Sequence, residues 1–287
     1  MANISGVVQF TNARTVAGIT EIATPAILTG LLGYTDECMD RVYRTSLASE
    51  FNARGYDTSI FSSYRTDWSG TRWAALGGML NYDFDTHVDP SAGPRKDLVF
   101  LNGYDDRKTV KLFGDWLQGQ RKHGKPFFSV LVLNNAHYPH LVDKDYAGTT
   151  NEERYFASIK TVDESLEQLF SSVRQAGVLP NTIMFGAGDH GDTPGTQYSR
   201  TRTLTAAVLN VVMWAHVPAQ HYHLVAQNRE RVVSTIDIVP TLRELLGDAA
   251  YTDEERGACV VGQSLLQHVP HGRIAESWQE FRSMTSM

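Results

Sequence analysis

The fold class of this chain follows from two long apolar runs separated by one amphipathic segment. The runs are KPFFSVLVLNNAH (125–137) and NTIMFGAGDHG (181–191), and the segment between them covers residues 152–177. An uninterrupted apolar run is typical of a strand covered on both faces, as in a parallel sheet. Because strand-like and helix-like patterns alternate in this way along the chain, we predict an α/β fold with a central, mostly parallel sheet and helices on both faces.

Two segments have the periodicity of amphipathic helices. In residues 152–177, apolar side chains recur at intervals of three or four, which predicts one buried face, and Gly177 stands where a helix C-cap favours glycine. The apolar residues are Phe156, Ile159, Val162, Leu166, Leu169 and Val173. The second helix is DIVPTLRELLG (237–247), with proline in its first turn and glycine after its end. No repeat or linker divides the chain, so residues 1–287 are expected to form a single domain.

Composition and charge exclude several classes of function. The formal net charge is −6 and basic residues form no run, so nucleic acid is not an expected partner. No stretch approaches the ~20 uninterrupted apolar residues of a spanning helix, so no transmembrane helix is expected in this chain. Cys38 and Cys259 lie far apart, match no metal spacing and are interpreted as ordinary small core residues.

Polar clusters follow both apolar runs, and ligands of open α/β sheets bind beyond the carboxyl ends of the strands. Asp189 and His190 could give a carboxylate oxygen and an imidazole nitrogen to a divalent cation, and Gly191 would let the backbone turn away. The alternative, commoner for an isolated pair, is an Asp that caps a turn and a half-buried His. His137 and His140 leave the same choice open, since they lie on an extended or turn segment rather than on one helix face.

A third cluster lies near the start of the chain, in TVAGITEIATPAILTGLLG (15–33). Thr20 precedes an acidic residue, and Pro25 and an apolar run follow, which predicts a helix with Thr20 at or near its N-cap. Thr20 is then either a plain cap, the commoner role, or a nucleophile. A hydroxyl at this place faces the positive end of the helix dipole, which favours an alkoxide and a bound phosphate. A divalent cation would lower the pKa of the hydroxyl further.

These clusters, in this order, resemble the alkaline phosphatase/sulfatase superfamily, with the greatest likeness to its lipoteichoic acid synthase and phosphoethanolamine transferase branch. The resemblance covers nearly the whole chain and rests on six motifs. They are FTNARTVAGITEIATP, GYDTSIFSSYRTDW, GYDDRKTVKLFGDWL followed by KPFFSVLVLNNAHYP, VDESLEQLFSSVRQAGVLPNTIMFGAGDHG, STIDIVPTLRELLG and GQSLL. The resemblance implies an alkaline-phosphatase-like sandwich fold.

The resemblance also implies a metal-dependent reaction in two steps. Thr20 would be both the nucleophile and a metal ligand, and Asp189 and His190 would bind the same divalent ion, whether zinc, manganese, magnesium or calcium. Thr20 would attack phosphorus and expel an alcohol. A water or a second alcohol would then resolve the phospho-threonine.

Four further residues would act on the substrate, by the same resemblance. His137 would lie beside the phosphate of the substrate or protonate the leaving alcohol, and His140 would contact the substrate. Trp68 falls near a tryptophan that contacts substrate in the synthases, and Arg72 would serve as their nearby arginine, at a shifted spacing. The expected substrate is a phosphoester or sulfate ester, with a lipid headgroup implied by kinship, and the expected location is extracytoplasmic or membrane-associated.

The chain departs from the family pattern in three respects. The family's opening strand, which ends in an acidic metal ligand, is expected upstream of residue 1, so the chain is interpreted as a fragment or a shortened protein. A further His that often follows the Asp-His-Gly motif has no counterpart in GTQYSRTRTL (195–204), which puts a second metal or a substrate contact in doubt. The membrane-embedded region of bacterial members has no counterpart either.

Two alternative functions stay open. A sulfatase would need a Cys or Ser in a C/S-x-P-S-R context for oxidation to formylglycine, and the CMDR sequence at Cys38 lacks that context. Thr20 cannot form the aldehyde. The second alternative is an inactive, shortened family member that keeps the fold for binding or scaffolding, since a shared fold does not guarantee activity.

Overall fold

The computed structural model describes residues 6–33, 35–44, 47–64, 84–88, 103–140, 148–193 and 204–277. Trp68, Arg72 and most of the GTQYSRTRTL segment lie outside these ranges. Helices and strands alternate through the described residues, and the predicted α/β class is confirmed. The chain divides into two compact units, one formed mainly by Ser46–Asn181 and the other by Ser5–Thr45 with Thr182–Met287.

The elements are numbered here in chain order. The strands are β1 (Val7–Phe10), β2 (Ala13–Arg14), β3 (Leu31–Leu32), β4 (Asp57–Ser62), β5 (Thr86–Val88), β6 (Phe127–Val132), β7 (Met184–Ala187), β8 (Met213–His216), β9 (Val233–Ser234) and β10 (Val260–Val261). The α-helices are α1 (Thr20–Thr29), α2 (Asp36–Arg44), α3 (Leu47–Asn52), α4 (Asp106–Gln120), α5 (Asn151–Gln175), α6 (Ala206–Leu209), α7 (Ala219–Ala226), α8 (Ile238–Leu245) and α9 (Asp253–Ala258). Short 3-10 helices cover Leu179–Asn181 and Thr235–Asp237.

The unit formed mainly by Ser46–Asn181 contains a parallel sheet. Strand β4 lies between β5 and β6 and is parallel to both, with Ile60 opposite Val130. Helices α4 and α5 pack against each other. Their close approach depends on Gly114, where an added Cβ would lie 2.9 Å from the Oγ atom of Ser172. The sheet and the helix pair together position the loop that follows β6.

Helix α5 buries only part of the face that its periodicity predicts, since Leu169 and Val173 are buried but the predicted residues nearer its start are not. Phe156 and Ile159 are 62% and 43% exposed, so the prediction that they are buried is wrong. The buried residues are Ser158, Thr161, Ser165, Leu169, Phe170 and Val173. The hydroxyls of Ser158 and Ser165 donate to backbone carbonyls within the helix, at 2.7 and 2.9 Å. Because these hydrogen bonds are made locally, small polar residues can line a buried helix face at little cost.

The second unit contains an antiparallel three-stranded sheet in the order β1-β8-β7. Strand β8 is antiparallel to both neighbours, so β1 and β7 run in the same direction. Val8, Phe10, Met213 and Ala215 from these strands belong to its main hydrophobic cluster. Helix α1 packs beside α8 and the 3-10 helix that precedes it. Helix α1, which begins at Thr20, thus belongs to the same unit as the end of β7.

Cys38 and Cys259 form a disulfide across a sequence separation of 221 residues, with their Cα atoms 5.2 Å apart. The interpretation of the two cysteines as ordinary core residues is therefore wrong, because spacing along the chain does not show which cysteines meet in the fold. Cys38 lies on α2, and Cys259 lies between α9 and β10, which pairs antiparallel with β3. No helix within the described ranges combines the length and the apolarity that crossing a bilayer requires.

Candidate active site

Thr20 opens helix α1 without capping it. The N-cap position belongs to Ile19, which is extended and makes no side-chain cap hydrogen bond. The hydroxyl of Thr20 instead donates to Oδ2 of Asp189 at 2.7 Å and lies 3.2 Å from Nε2 of His190. The plain-cap interpretation of Thr20 does not fit this geometry. The threonine hydroxyl and the carboxylate–imidazole pair meet within one unit.

The turn after β7 fixes the orientation of both partners. Oδ1 of Asp189 accepts a hydrogen bond from the backbone N–H of His190 at 2.9 Å, which leaves Oδ2 directed at Thr20. Nδ1 of His190 lies 2.8 Å from the carbonyl oxygen of Gly191. Because a carbonyl only accepts, Nδ1 carries the proton and Nε2 presents a lone pair, as in a metal-binding histidine. The side chains of His190 and Asp189 are 11% and 36% exposed, so the site is sheltered but open on one side.

Gly191 is required by the close packing of this turn. Its backbone N–H donates to the carbonyl of Val208 at 2.7 Å. A Cβ at this position would lie 2.1 Å from the carbonyl oxygen of Ala207 in helix α6. No side chain fits that distance, so glycine allows the turn to lie directly against α6 and holds the preceding Asp and His in place.

The three side chains fit the ligand set of a divalent cation. Four-coordinate ligands about 2.1 Å from an ion lie roughly 3.4 Å from each other. Here Oγ1 of Thr20 is 2.7 Å from Oδ2 of Asp189 and 3.2 Å from Nε2 of His190, and the last two atoms are 3.6 Å apart. The described residues contain no group of three or more His, Cys, Asp and Glu side chains that could hold an ion. The donor set is therefore one hydroxyl, one carboxylate and one imidazole, a mixture that suits zinc or manganese.

The two sequence-predicted histidines lie in the other unit, on the loop after β6. His137 is exposed, and its Nδ1 atom lies 2.7 Å from the carbonyl oxygen of Tyr138. His140 is 1% exposed, with Nδ1 3.0 Å from the carbonyl oxygen of Ala136 and its ring edge-on to Tyr155. Of the two, His137 is the accessible one. The burial of His140 disfavours its predicted contact with substrate.

Asp106 is a buried carboxylate that the sequence reasoning did not single out. Its side chain accepts hydrogen bonds from the backbone N–H groups of Asn134 and Asn135, at 2.7 and 3.0 Å. Burial raises the pKa of Asp106, and hydrogen bonds from Ser63, Asn134 and Asn135 oppose that rise. Asp106 thus anchors the start of the loop that carries His137. Its one signal in the sequence is the Asp-Asp pair that opens α4.

Comparison with known proteins places these features in a family. Residues 2–248 match the family model described as Sulfatase. The lipoteichoic acid synthase of Staphylococcus saprophyticus is 22% identical in an alignment of 221 residues that covers 72% of this chain and 33% of that protein. The chain therefore spans about a third of the length of the curated relatives it matches.

Two solved structures show the same fold. The lipoteichoic acid synthase LtaP from Listeria monocytogenes has a TM-score of 0.65 at 17% identity, covering 91% of this chain and 66% of that chain. The C-terminal periplasmic domain of EcEptC from Escherichia coli, solved in complex with Zn, has a TM-score of 0.62 at 16% identity, covering 96% of this chain and 78% of that chain. At these identities the likeness is one of fold.

Proposed function

The chain belongs to the sulfatase family, within the alkaline phosphatase superfamily, and we propose that it is a metal-dependent phosphotransferase or phosphoester hydrolase that works through a phospho-threonine. One observation carries this proposal. The hydroxyl of Thr20 lies 2.7 Å from Oδ2 of Asp189 and 3.2 Å from Nε2 of His190, at the start of a ten-residue helix. A nucleophile, a carboxylate and an imidazole are thereby gathered at one helix N-terminus.

Thr20, Asp189 and His190 would hold the cation, which when bound lowers the pKa of a hydroxyl. The fixed tautomer of His190 supports this, because the proton on Nδ1 leaves the Nε2 lone pair directed at the site. The carboxylate of Asp189 accepts a hydrogen bond from the Thr20 hydroxyl. The lone pairs of the Thr20 oxygen therefore point away from Asp189 and are available for attack. The ligand set therefore both activates and orients the nucleophile.

The reaction would exchange one phosphorus–oxygen bond for another in each step. The Thr20 oxygen forms a bond to phosphorus while the bond to the departing alcohol breaks, and the proton that the Thr20 hydroxyl loses is balanced by the one that the alcohol gains. A water or a second alcohol then attacks the phospho-threonine and restores the Thr20 hydroxyl. The first turn of a helix has N–H groups without intrahelical acceptors, so the start of α1 favours a bound phosphate during both steps.

A phosphoester of an extracytoplasmic, lipid-linked compound is the substrate class that we propose. Relatives named as lipoteichoic acid synthases and a domain named as periplasmic support this choice. The Cys38–Cys259 disulfide supports the same location, because disulfides persist in oxidising compartments and are rare in the cytosol. A membrane-associated setting belongs to this proposal as well.

Sulfatase chemistry is the less favoured alternative for a structural reason. Formylglycine forms from a free Cys or from Ser, and Cys38 is tied to Cys259. Thr20, the side chain at the expected nucleophile position, carries a methyl group that prevents conversion to an aldehyde. An inactive protein with a scaffold role is the other alternative, and it would show no turnover of either ester.

Turnover of an aryl phosphate and an aryl sulfate by the chain with added Zn²⁺ or Mn²⁺ tests the proposal. We expect phosphate turnover that is lost in Thr20→Ala and partly retained in Thr20→Ser, with a phosphoryl group on residue 20 detected by mass spectrometry. Thr29→Val serves as a matched control, because Thr29 is a buried threonine at the other end of α1. Full activity of Thr20→Ala, or turnover of the sulfate alone, would contradict the proposal.

A further inference from the structure

Thr15 links the nucleophile segment to the turn that carries the proposed metal ligands. It is five residues before Thr20 in the chain and is completely buried. Its hydroxyl donates to the backbone carbonyl of Asp189, 174 positions away. The carbonyl of Ala17 is a more distant acceptor, at 3.4 Å. A hydroxyl has one hydrogen to donate, and the shorter contact identifies Asp189 as its partner.

The backbone of Thr15 is held from two further sides. Its N–H donates to the carbonyl of Leu209 at 2.9 Å, at the end of helix α6. Its carbonyl accepts a hydrogen bond from the hydroxyl of Ser277 at 3.0 Å. Thr15 therefore cannot shift without breaking contacts to two other segments of the unit. A side chain fixed in this way is a rigid support for whatever it binds.

The position of Asp189 depends on its backbone because both carboxylate oxygens are already engaged. Oδ1 accepts from the N–H of His190, and Oδ2 accepts from Thr20. The Asp189 carbonyl is the group that the Thr15 hydroxyl holds. Rotation of this peptide would move the carboxylate and the imidazole together, away from Thr20.

We propose that Thr15 is a positioning residue whose hydroxyl sets the distance of Asp189 and His190 from Thr20. This inference rests on the proposed function, in which these three side chains bind one cation. Thr15 itself contacts neither the cation nor the substrate. Residues that orient metal ligands typically change metal affinity by about 10- to 100-fold when they are removed. Loss of the Thr15 hydroxyl should fall in that range.

Two matched pairs of variants isolate the hydroxyl. The first pair is the wild type and Thr15→Val, which has nearly the same side-chain volume but no hydroxyl. The second pair is Thr15→Ser and Thr15→Ala, which differ only in that the serine keeps the hydroxyl. Thr29→Val is the control, because Thr29 is equally buried and donates to the carbonyl of Pro25 at 2.9 Å, at the far end of α1. The Thr29 hydroxyl also accepts from the N–H of Leu31 at 3.2 Å, so this variant removes at least as much buried hydrogen bonding at a distance from the site.

Isothermal titration of the metal-free chain with Zn²⁺, and separately with Mn²⁺, measures the effect. We expect Thr15→Val to bind at least about 10-fold more weakly than the wild type, while Thr15→Ser and Thr29→Val stay within about threefold of it. The melting temperatures of Thr15→Val and Thr29→Val should fall by similar amounts. If Thr15→Val does not fold, the Ala and Ser variants give the same comparison.

Three outcomes would overturn the inference: unchanged affinity in Thr15→Val, equal losses in the Ala and Ser variants, or an equal loss in Thr29→Val. Each concerns metal affinity and is separate from the turnover assay of Thr20→Ala. A wild type that binds the ions but transfers no phosphoryl group would contradict the proposed reaction alone. A wild type that binds neither ion would overturn both proposals.

Discussion

The Oγ1 atom of Thr20 and the Oδ2 atom of Asp189 lie 2.7 Å apart, although 169 positions separate the two residues in the chain. The neighbouring Nε2 atom of His190 lies 3.2 Å from the same hydroxyl. All three residues belong to the unit formed by Ser5–Thr45 and Thr182–Met287. The proposed nucleophile and its ligand partners can therefore be tested by changes in one unit.

Replacing Asp189 with Asn should strongly weaken metal binding while leaving the fold intact. Asn keeps the shape of the side chain but lacks the charge, and its amide group cannot accept from both Thr20 and the N–H of His190. We expect Zn²⁺ affinity to fall on the order of 100-fold or more, measured by isothermal titration. Asp192→Asn is the control, since Asp192 lies in the same turn and accepts from the N–H of Thr193. Equal losses in both variants would argue against Asp189 as a ligand.

Replacing Gly191 with Ala should destabilise the protein through a backbone clash. The new Cβ would lie 2.1 Å from the carbonyl oxygen of Ala207, and rigid backbone on both sides cannot relax cheaply. We expect the free energy of unfolding, measured in urea, to fall by about 3 kcal/mol. Gly257→Ala is the control: it lies in helix α9 with no atom within 4 Å of its added Cβ. That variant should be unchanged or up to about 1 kcal/mol more stable, and a reversed order would refute the clash.

Replacing Tyr251 with Phe should lower the stability of the protein at neutral pH. It should also reduce the loss of stability that follows a rise to alkaline pH. The buried Tyr251 hydroxyl donates to the carbonyl of Gly30 and accepts from the N–H of Gly262, both at 2.9 Å. Phe removes both hydrogen bonds, so we expect a loss of about 1–2 kcal/mol at pH 7.

The pH dependence follows from the ionisation of Tyr251. Burial raises the pKa of Tyr251 above its ordinary value of 10.0, so the unfolded chain loses this proton first. The stability that the neutral phenol contributes is complete below pH 10.0 and is lost as the pH rises above it, by up to about 1.4 kcal/mol per pH unit. Urea unfolding at pH 8 and 11 should show a steeper decline in the wild type than in Tyr251→Phe. Tyr222→Phe should follow the wild type, and identical slopes for all three would contradict the prediction.

Removing the disulfide should cost a large part of the stability of its unit. The Cys38→Ser, Cys259→Ser double variant frees two segments that are 221 positions apart in the chain. Loss of a native disulfide typically costs about 2–5 kcal/mol. Thermal unfolding with and without reductant should show a drop for the wild type and no further drop for the double variant. Complete alkylation of both cysteines in unreduced, denatured protein would show instead that the bond is absent.

The sequence predicted where helices end more accurately than which face of a helix is buried. Gly177 and Gly247 follow their helices with φ angles of 69° and 84°, as the C-cap pattern predicts. The buried face of α5 was predicted correctly at Leu169 and Val173 but wrongly at Phe156, because periodicity shows which residues share a side of a helix, not which part of that side meets a neighbour. The contact between Gly114 and Ser172 shows that α4 approaches the small residues of α5, and Phe156 is left outside.

The main residues of the candidate site were predictable from the sequence, but the hydrogen bonds that hold them in place were not. The order of the motifs brought Thr20, Asp189 and His190 into one hypothesis before any distance was known. Thr15 and Asp106 were not predicted, because their side chains bind backbone groups. Thr15 donates to the carbonyl of Asp189, and Asp106 accepts from two N–H groups after β6. Any residue type can supply a backbone group, so side-chain identities carry no signal of such bonds. The disulfide was not predicted either, because two cysteines in a sequence are compatible both with a disulfide and with separate burial.

The unit that contains the candidate site is built from two stretches of chain, Ser5–Thr45 and Thr182–Met287. This arrangement determines when the site can form during synthesis. A ribosome delivers Thr20 first, then all of Ser46–Asn181, and only afterwards the turn with Asp189 and His190. Thr20 is therefore without its partners until a further 169 residues, up to Asp189, have been synthesised. Cys259 follows Asp189 and His190 in the chain, so the disulfide can form only after the residues of the site have been synthesised. The proposed site can therefore form only after both stretches of this unit have been synthesised.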